Sequence, residues 1–481
     1  MRLDTLLNAQ QLRRRRRGAA LVMVLISVVI LTVFMVELQQ ESSASFSSAL
    51  AARHRLQAEY HARSAINLSR LLIATEPSIR KAIAVPYSLL MKGKKPPQIP
   101  VWAFSDQLLG VFNGGDRATG FAELTGTDLS SAENIGLAGA GHFELIIVDE
   151  DSKINVNEAV RGDPITLQRL GTQLLGLLAG PQYDPLFDGF DSDGQHSDRQ
   201  TICSALLDWA DSDENVASCL PQHDGGVSQG SEDNFYQTIG LPYLRKNAGY
   251  DSLEELRLVR GMGEDFWATF VDPDPNDPRK RNLSVWGQGK VNVNTANAQT
   301  ILAIACSYAK PNQALCTDPQ QMTTFLGMVS MIRQFGNGIP VFSSGKEFIK
   351  TLKGGSMLGP ALTSMGVEPI EFENERELLG IIDTKSKVFS IYAEGVVPGQ
   401  FGTETRVPIH AVVDFRQASD LPAAVDQAAL ADFLTGGAGA SKSGGDSGAA
   451  GADPTDPNDP AAALAALAQD PAGQVVYYRI D

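Results

Sequence analysis

The longest apolar stretch of the chain lies close to its N-terminus. Residues 19–36 contain no charged side chain, and Ser27 and Thr32 are the polar interruptions. As a helix this stretch is about 27 Å long, which suffices to cross the hydrocarbon core of a bilayer. Five arginines at 13–17 precede it and favour a cytoplasmic N-terminus. The pattern therefore predicts a single-pass membrane segment with the bulk of the chain on the other side.

The helical pattern does not stop at Val36. Apolar residues continue at loose helical spacing, which predicts one helix of about 55 residues over 19–75. A cleaved secretory signal fits less well, because Glu37 to Glu41 separate the apolar stretch from a poor small-residue site at 42–44. The apolar positions that continue the pattern are Leu38, Phe46, Leu50, Leu56, Tyr60 and Leu68.

Strand patterns then bracket a long helical region. Residues 99–104 and 141–157 have strand character, and it returns at 386–397 and 405–416. Between 158 and 365 the apolar positions repeat at helical spacing. The simplest interpretation is a small αβ domain into which an α-helical domain is inserted. Residues 417–472, rich in Ala, Gly, Asp, Ser and Pro, predict a flexible linker, and the last nine residues resemble a strand.

The charge of the chain argues against a nucleic-acid-binding surface. Its 481 residues carry a net charge of −16. Residues 1–18 hold six of the 40 basic and one of the 56 acidic side chains, so the rest has 34 basic, 55 acidic and a net charge of −21. Six His and four Cys offer little material for a catalytic or zinc cluster.

The four cysteines form two local pairs, Cys203 with Cys219 and Cys306 with Cys316. Outside the cytoplasm both pairs can be disulfides, each stabilising the fold by roughly 3 kcal/mol. The alternative is four free buried thiols. The spacings do not match a zinc motif.

The N-terminus resembles that of type IV pilins and pseudopilins, which have a basic leader ending in Gly and then an apolar helix. In that family a dedicated peptidase cuts after the Gly on the cytoplasmic side. The matching bond here is Gly18–Ala19, and the new N-terminus at Ala19 would be methylated. One departure is Met23, because most members carry Glu at this fifth mature position. An uncleaved membrane anchor is the alternative.

Five further stretches resemble general secretion pathway protein K, the family of K-type minor pseudopilins of type II secretion systems. They follow one another in the order in which that family has them, and the resemblance spans residues 13–416. The stretches are DEDSKINVN (149–157), DWADSD (208–213), GSEDNFY (230–236), ELRLVRG (255–261) and NVNTA (292–296). This family typically has an apolar residue at the fifth mature position, so Met23 agrees with it.

The resemblance implies an α+β fold. It predicts a long N-terminal transmembrane and amphipathic helix, then a pseudopilin αβ domain with an inserted, mostly α-helical domain of the helix-hairpin-helix/SAM-like type. The expected segments are a leader (1–18), the helix (19–75, with 19–36 in the membrane), the first part of the pseudopilin domain (76–157), the inserted domain (158–375), C-terminal strands (376–416), the linker (417–472) and a final strand (473–481).

The resemblance also implies a function in assembly. The protein would start in the inner membrane with its bulk in the periplasm and later join the tip of the pseudopilus. There it would help to initiate assembly and the export of folded proteins. In related filaments the fifth-position Glu is thought to pair with the N-terminal amine of a neighbouring subunit. A subunit at the tip has no subunit above it that could supply this amine. The expected partners are the I- and J-type minor pseudopilins, the major pseudopilin, the prepilin peptidase and the inner-membrane assembly platform.

An acidic loop adds a predicted cation site, and the family resemblance implies calcium there. Oxygen ligands at alternate positions of a loop can converge on one hard cation. A solvated acidic turn or an N-cap is the alternative. The predicted ligands are Asp211, Asp213 and Asn215, completed by Glu232 or Asp233; a weaker second site has Asp188, Asp191 and Asp193.

Two other classes of function have less support. The stretch LVRGMG (258–263) resembles a helix-hairpin-helix of competence-type DNA-binding proteins anchored in the inner membrane. DNA binders need a local excess of Lys and Arg, whereas here acidic residues offset Arg257, Arg260 and Lys290. Common catalytic motifs are absent from the sequence, and its six His are scattered singly, so we expect no enzymatic activity.

Overall fold

The computed structural model describes residues 3–90, 93–113, 141–190, 194, 196–219, 228–231, 233–335, 340–356, 358–399, 403–418 and 471–480. Its α-helices are α1 (Leu3–Leu90), α2 (Ser105–Leu109), α3 (Pro164–Leu178), α4 (Asp184–Phe187), α5 (Arg199–Asp208), α6 (Asn234–Thr238), α7 (Glu264–Phe266), α8 (Ala298–Ser307), α9 (Ala314–Thr317), α10 (Pro319–Phe335), α11 (Gly345–Leu352), α12 (Gly359–Ser364) and α13 (Glu375–Ile381). Its strands are β1 (His142–Asp149), β2 (Ile154–Asn155), β3 (Asn215–Val216), β4 (Ser228–Ser231), β5 (Leu283–Ser284), β6 (Val291–Asn292), β7 (Ile382–Asp383), β8 (Val388–Pro398), β9 (Glu404–Asp414) and β10 (Gln474–Ile480). The fold is thus α+β with a long N-terminal helix, as predicted.

Helix α1 is longer than the sequence pattern predicts. The expected helix covers 19–75, whereas α1 is continuous over 88 residues and contains Pro77 and Pro86. Proline removes a backbone donor and disfavours a helix interior. Tertiary contacts offset this cost, because Thr75 and Glu76 are buried and the Glu76 carboxylate accepts a hydrogen bond from Ile99 N.

Two further segments differ from their predicted type. The sequence pattern predicts a strand over 99–104, but Val101–Phe104 is a 3₁₀-helix. A half-buried strand buries alternate side chains, whereas the neighbours Val101 and Trp102 are both buried. Within the region 158–365, for which the sequence predicts helical structure, Leu253–Leu258 forms only a 3₁₀-helix.

The main sheet joins segments that lie far apart in the sequence. Its order is β1-β8-β9-β10, and all neighbours are antiparallel. Strand β1 pairs with β8 along its whole length, from His142 opposite Val396 to Asp149 opposite Phe389. The chain therefore leaves the sheet after Asp149 and re-enters it at Val388, with the helical region between the two strands.

Helix α1 packs closely on one face of this sheet. The α1 residues at the contact are small, and Ala58, Ala62 and Ala65 are fully buried. Gly395 of β8 lies beneath them, where a side chain would overlap Ala58 O. The small residues thus set the distance between helix and sheet. The apolar core beneath α1 also includes Phe143, Ile147, Phe389, Ile391, Ile409 and Ala411.

The helical region has a larger core of its own. It is built around α3, α5, α8 and α10, with Leu174, Leu206 and Ile304 at most 1% exposed. Both cysteine pairs are disulfides, and their Cα atoms lie 6.2 Å apart in Cys203–Cys219 and 5.7 Å apart in Cys306–Cys316. These two bonds fix loops at the ends of α5 and α8.

A buried polar cluster joins the helical region to the sheet. It lies where β1 ends, and we call Asp149, Glu150, Asp151 and Lys153 the junction cluster; all four are buried. Asp151 accepts hydrogen bonds from the backbone N–H groups of Lys387 (2.6 Å), Val388 (3.1 Å) and Gln288 (2.7 Å). Asp149 accepts from the hydroxyls of Thr295 and Ser386. The Lys153 ammonium pairs with Glu150 at 3.2 Å, and Ser284 donates to the same carboxylate.

The C-terminal residues return to the sheet. Strand β10 pairs with β9, with Gln474 opposite Asp414 and Ile480 opposite Ile409. The Arg70 guanidinium of α1 donates to Ala472 O at 3.0 Å and to Gly473 O at 2.6 Å. These bonds hold the start of β10 against the long helix. The linker predicted at 417–472 lies almost wholly outside the described residues.

The close approach of α1 to β8 gives a stability prediction. Gly395→Ala adds a Cβ that overlaps Ala58 O and lies 3.0 Å from Ala62 N, so backbone must move. We expect a loss of at least about 3 kcal/mol in the free energy of unfolding, measured by urea denaturation.

The matched control is Gly327→Ala in α10, where an added Cβ meets no atom within 4 Å. It should be neutral or stabilise by about 0.5–1 kcal/mol through helix propensity. Equal stability of the two variants would contradict the close contact between α1 and β8.

Candidate functional site: the exposed apolar helix and the acidic loop

The N-terminal part of α1 exposes its apolar side chains. Residues 20–36 are all exposed, and Met23 has 69% of its surface accessible. The region Ala20–Leu89 is long and apolar enough to span a membrane, and no residue of its most apolar 18-residue window is buried. Gly18 and Ala19, the predicted processing site, lie within α1. This part of the helix is therefore free to contact lipid or other helices.

The acidic loop begins at the end of α5 and lies beside the Cys203–Cys219 disulfide. Asp208 is the last residue of α5, and its carboxylate accepts a hydrogen bond from Ala217 N at 2.7 Å. Asp211 is only 1% exposed. Its Oδ1 atom has no hydrogen-bond partner among the described residues. An unpaired buried carboxylate oxygen is costly, so this atom needs a cation or a donor.

The carboxylates of this loop repel one another. Burial, together with repulsion by Asp211 and Asp213, raises the pKa of Asp208 to about 8. Burial, together with repulsion by Asp213, raises the pKa of Asp211 to about 6. The Arg245 guanidinium opposes both shifts. The loop is thus short of positive charge at neutral pH.

The structure brings some of the predicted ligands together and separates others. Asp213 is exposed, and its carboxylate accepts from Asn215 N at 2.7 Å. Arg245 donates to Asp213 O at 2.8 Å and pairs with Asp233 at 3.3 Å. Through Arg245 the loop is connected to the start of α6. Glu232 lies outside the described residues.

In the part of the chain that the structure describes, no group of three or more His, Cys, Asp or Glu side chains is arranged to hold a metal ion. At the weaker second site Asp188 is exposed, whereas Asp191 and Asp193 fall outside the described residues. The calcium prediction therefore stays a prediction.

Sequence reasoning missed two participants in this site. Asp208 lies within the stretch DWADSD, but it is three residues from Asp211 and so does not fit a pattern of ligands at alternate positions. Arg245 comes 32 residues after Asp213, and local spacing gives no signal for that contact.

The arginines of the hairpin region are held by contacts within the chain. Arg257 pairs with Glu264 at 2.6 Å and lies over the ring of Trp267. Arg260 donates to His196 O and Ser197 Oγ and lies over the ring of Phe235. These contacts give both guanidinium groups a structural role in packing the hairpin.

Comparison with known proteins locates this region in a family. Residues 152–270 match the family model described as type II secretion system, protein K. The match includes the acidic loop, the Cys203–Cys219 disulfide and the hairpin region. This part of the chain is therefore similar to protein K of type II secretion systems.

A second comparison found a weak similarity to a solved structure. It is a chain of the GspK–GspI–GspJ complex of the type II secretion system from enterotoxigenic Escherichia coli. The identity is 13%, the TM-score is 0.36, and the alignment covers 58% of this chain and 76% of that chain. No curated protein sequence matches this chain.

The buried Asp208 makes the stability of the chain depend on pH. Its pKa is raised from 3.8 to about 8, so the folded state binds a proton more tightly than the unfolded state does. In EDTA, its contribution to stability should therefore be largest below pH 4 and be lost as the pH rises to 8. Asp208→Asn keeps an acceptor for Ala217 N and removes the charge. We expect this variant to be more stable than the wild type at pH 8, by roughly 2–5 kcal/mol.

Urea denaturation at pH 5 and pH 8 measures this difference. The exposed Asp265→Asn serves as the control and should follow the wild type at both values. An Asp208→Asn variant less stable than the wild type at pH 8 would show that the Asp208 carboxylate is ionised and well paired.

Proposed function

We propose that the chain is a minor pseudopilin that occupies the tip of the type II secretion pseudopilus and helps to initiate its assembly. The match of residues 152–270 to the protein K family model supports a role in type II secretion. The single observation that carries the proposal is the construction of α1. One helix has an exposed apolar N-terminal part and a later part that is packed into the folded body.

This construction suits a subunit that moves from a bilayer into a filament. Apolar residues 20–36 can be buried either in lipid or among the helices of neighbouring subunits, since both environments exclude water. The proposed route is insertion in the inner membrane with the bulk in the periplasm, cleavage after Gly18, methylation at Ala19 and extraction into the filament.

Met23 supports the position at the tip. A Glu at this place in a filament core requires a positive partner, because an unpaired buried charge costs several kcal/mol. Met23 removes that requirement, and its exposed side chain can pack in an apolar core. We propose the I- and J-type minor pseudopilins as direct partners; in the solved complex from Escherichia coli, GspK is assembled with GspI and GspJ.

The charge argument gives a test of the tip position. Met23→Glu should reduce the recovery of the full chain with the I- and J-type pseudopilins from detergent extracts at least tenfold, because no amine from above neutralises the new carboxylate. Met23→Leu, of similar volume, is the control and should copurify like the wild type. Secretion of a folded exoprotein provides the second measurement.

Failure of the wild-type chain to copurify with either partner would contradict the proposal. If Met23→Glu assembled and secreted as well as the wild type, an amine would have to be available, and the chain would lie below the tip.

We further propose that the acidic loop binds calcium. The buried Asp211 Oδ1 without a partner among the described residues, beside Asp208 and Asp213, is the observation that fits a cation. Calcium prefers carboxylate and carbonyl oxygens, which this loop supplies in excess of its positive charge. When bound, the ion would neutralise carboxylates that now repel one another and would fix the loop between α5 and α6.

Calcium should therefore stabilise the chain through this loop. At a few hundred times the Kd we expect a gain of about 3 kcal/mol, seen as a rise in Tm. The double variant Asp211→Ala/Asp213→Ala should show no such rise, whereas Asp188→Asn, at the weaker site, should keep it. A rise in Tm that is equal in the wild type and the double variant would assign calcium to another site.

A further inference from the structure

A cavity of about 450 Å³ lies between the main sheet and the helical region. Side chains alternate between the two faces of a strand, so Ile391 and Ala411 face α1 while their neighbours Tyr392 and His410 face the other way. The register places Tyr392 of β8 directly opposite His410 of β9. The polar face of the sheet therefore forms one wall of this cavity, which we call the sheet cavity.

Aromatic rings line the sheet cavity. The ring of Tyr392 stacks on His410, with centroids 4.1 Å apart and an interplanar angle of 8°. Tyr477 of β10 lies 5.2 Å from His410, and Trp286 of the helical region lies 5.6 Å from Tyr477. The cavity thus offers several π systems from both sides of the junction.

The charges around the sheet cavity are mainly negative. Its lining contains five carboxylates and three basic side chains. Most of these groups are paired: Glu150 with Lys153, Asp251 with Lys246, Glu144 and Glu394 with Arg406, and Arg281 with Asp272 at 3.0 Å. Glu254, by contrast, is exposed and forms no ion pair among the described residues, yet its charge acts on the His410 and Tyr392 rings.

Two polar atoms of the lining lack partners in the described part of the chain. The His410 Nε2 atom is buried and makes no hydrogen bond. Ser390 is 1% exposed, and its Oγ lies near Glu150 without the geometry of a hydrogen bond. Burial lowers the pKa of His410 to about 4, so the ring is neutral at physiological pH and does not repel a cation. Buried polar atoms normally have partners, which points to a bound group.

We propose that the sheet cavity is a docking site for the guanidinium group of an arginine side chain on a partner protein. Guanidinium is planar, stacks on aromatic faces and carries five N–H donors. Its charge fits the Glu254 carboxylate, which forms no ion pair among the described residues, and its donors fit that carboxylate and the Ser390 hydroxyl. An anionic ligand would be repelled by the Glu254 carboxylate. This proposal depends neither on calcium nor on the position of the chain in a filament.

The probe for this site is Nα-acetyl-L-arginine amide, which presents the side chain as it occurs within a protein. Nα-acetyl-L-citrulline amide has nearly the same shape but no charge. Ligand-observed saturation-transfer NMR on the full chain in detergent micelles gives the Kd of each probe. We expect the arginine probe to bind at least about fivefold more tightly than the citrulline probe.

Variants then locate the binding. In Glu254→Gln the Kd values of the two probes should differ by no more than about twofold. Glu368→Gln, which also removes one exposed carboxylate, should leave the preference for the arginine probe unchanged. Tyr477→Leu keeps apolar volume but removes a ring, and it should weaken the arginine probe alone. Equal affinity for both probes, or a preference that survives in Glu254→Gln, would overturn the proposal. Absence of saturable binding would show a cavity filled by water only.

Discussion

The arrangement of the whole molecule depends on the buried carboxylates of the junction cluster. Asp149 ends strand β1 and Asp151 follows two residues later; their oxygens accept hydrogen bonds from groups that lie 137 to 237 residues further along the chain. These bonds fix where the chain leaves the sheet and where it returns. Removing one carboxylate would leave several buried donors unsatisfied, which costs more than the bonds themselves contribute. The cluster therefore specifies how the two apolar cores are joined.

The cluster also places charge in the interior, and its neighbours determine how that charge is held. Burial raises the pKa of Asp149 and of Asp151, helped by repulsion from Glu150 at Asp149 and from Asp149 at Asp151. Asp149 faces the hydroxyls of Thr295 and Ser386, which can accept as well as donate, so it can hold a proton without losing a bond. Asp151 faces backbone N–H groups, which only donate and favour the ionised form. Buried ionic groups of this kind are better explained by specificity of fold than by stability.

Periodicity and local spacing are enough to predict much of this fold. Strands β1, β8 and β9, helices α3, α5, α8 and α10, and both cysteine pairings follow from patterns within a few turns of chain. The errors occur where tertiary contacts override local preference. Helix α1 continues past Pro77, and Val101–Phe104 winds into a 3₁₀-helix because both Val101 and Trp102 must be buried. In the acidic loop, Asp211 and Asp213 could be named from spacing, whereas the contact of Arg245 with Asp213 arises only when the chain folds.

The length of α1 sets a distance as well as a connection. When residues 19–36 lie in a bilayer, the first fully buried contact with the sheet comes at Ala58, 22 residues after Val36. A helix of that length extends about 30 Å, so the folded body stands clear of the lipid surface on a stalk. Because the same helix is clamped to β8 at Gly395, a force that draws the apolar end out of the bilayer acts directly on the sheet. Because α1 is one continuous helix, a displacement along its axis is transmitted directly to the folded body.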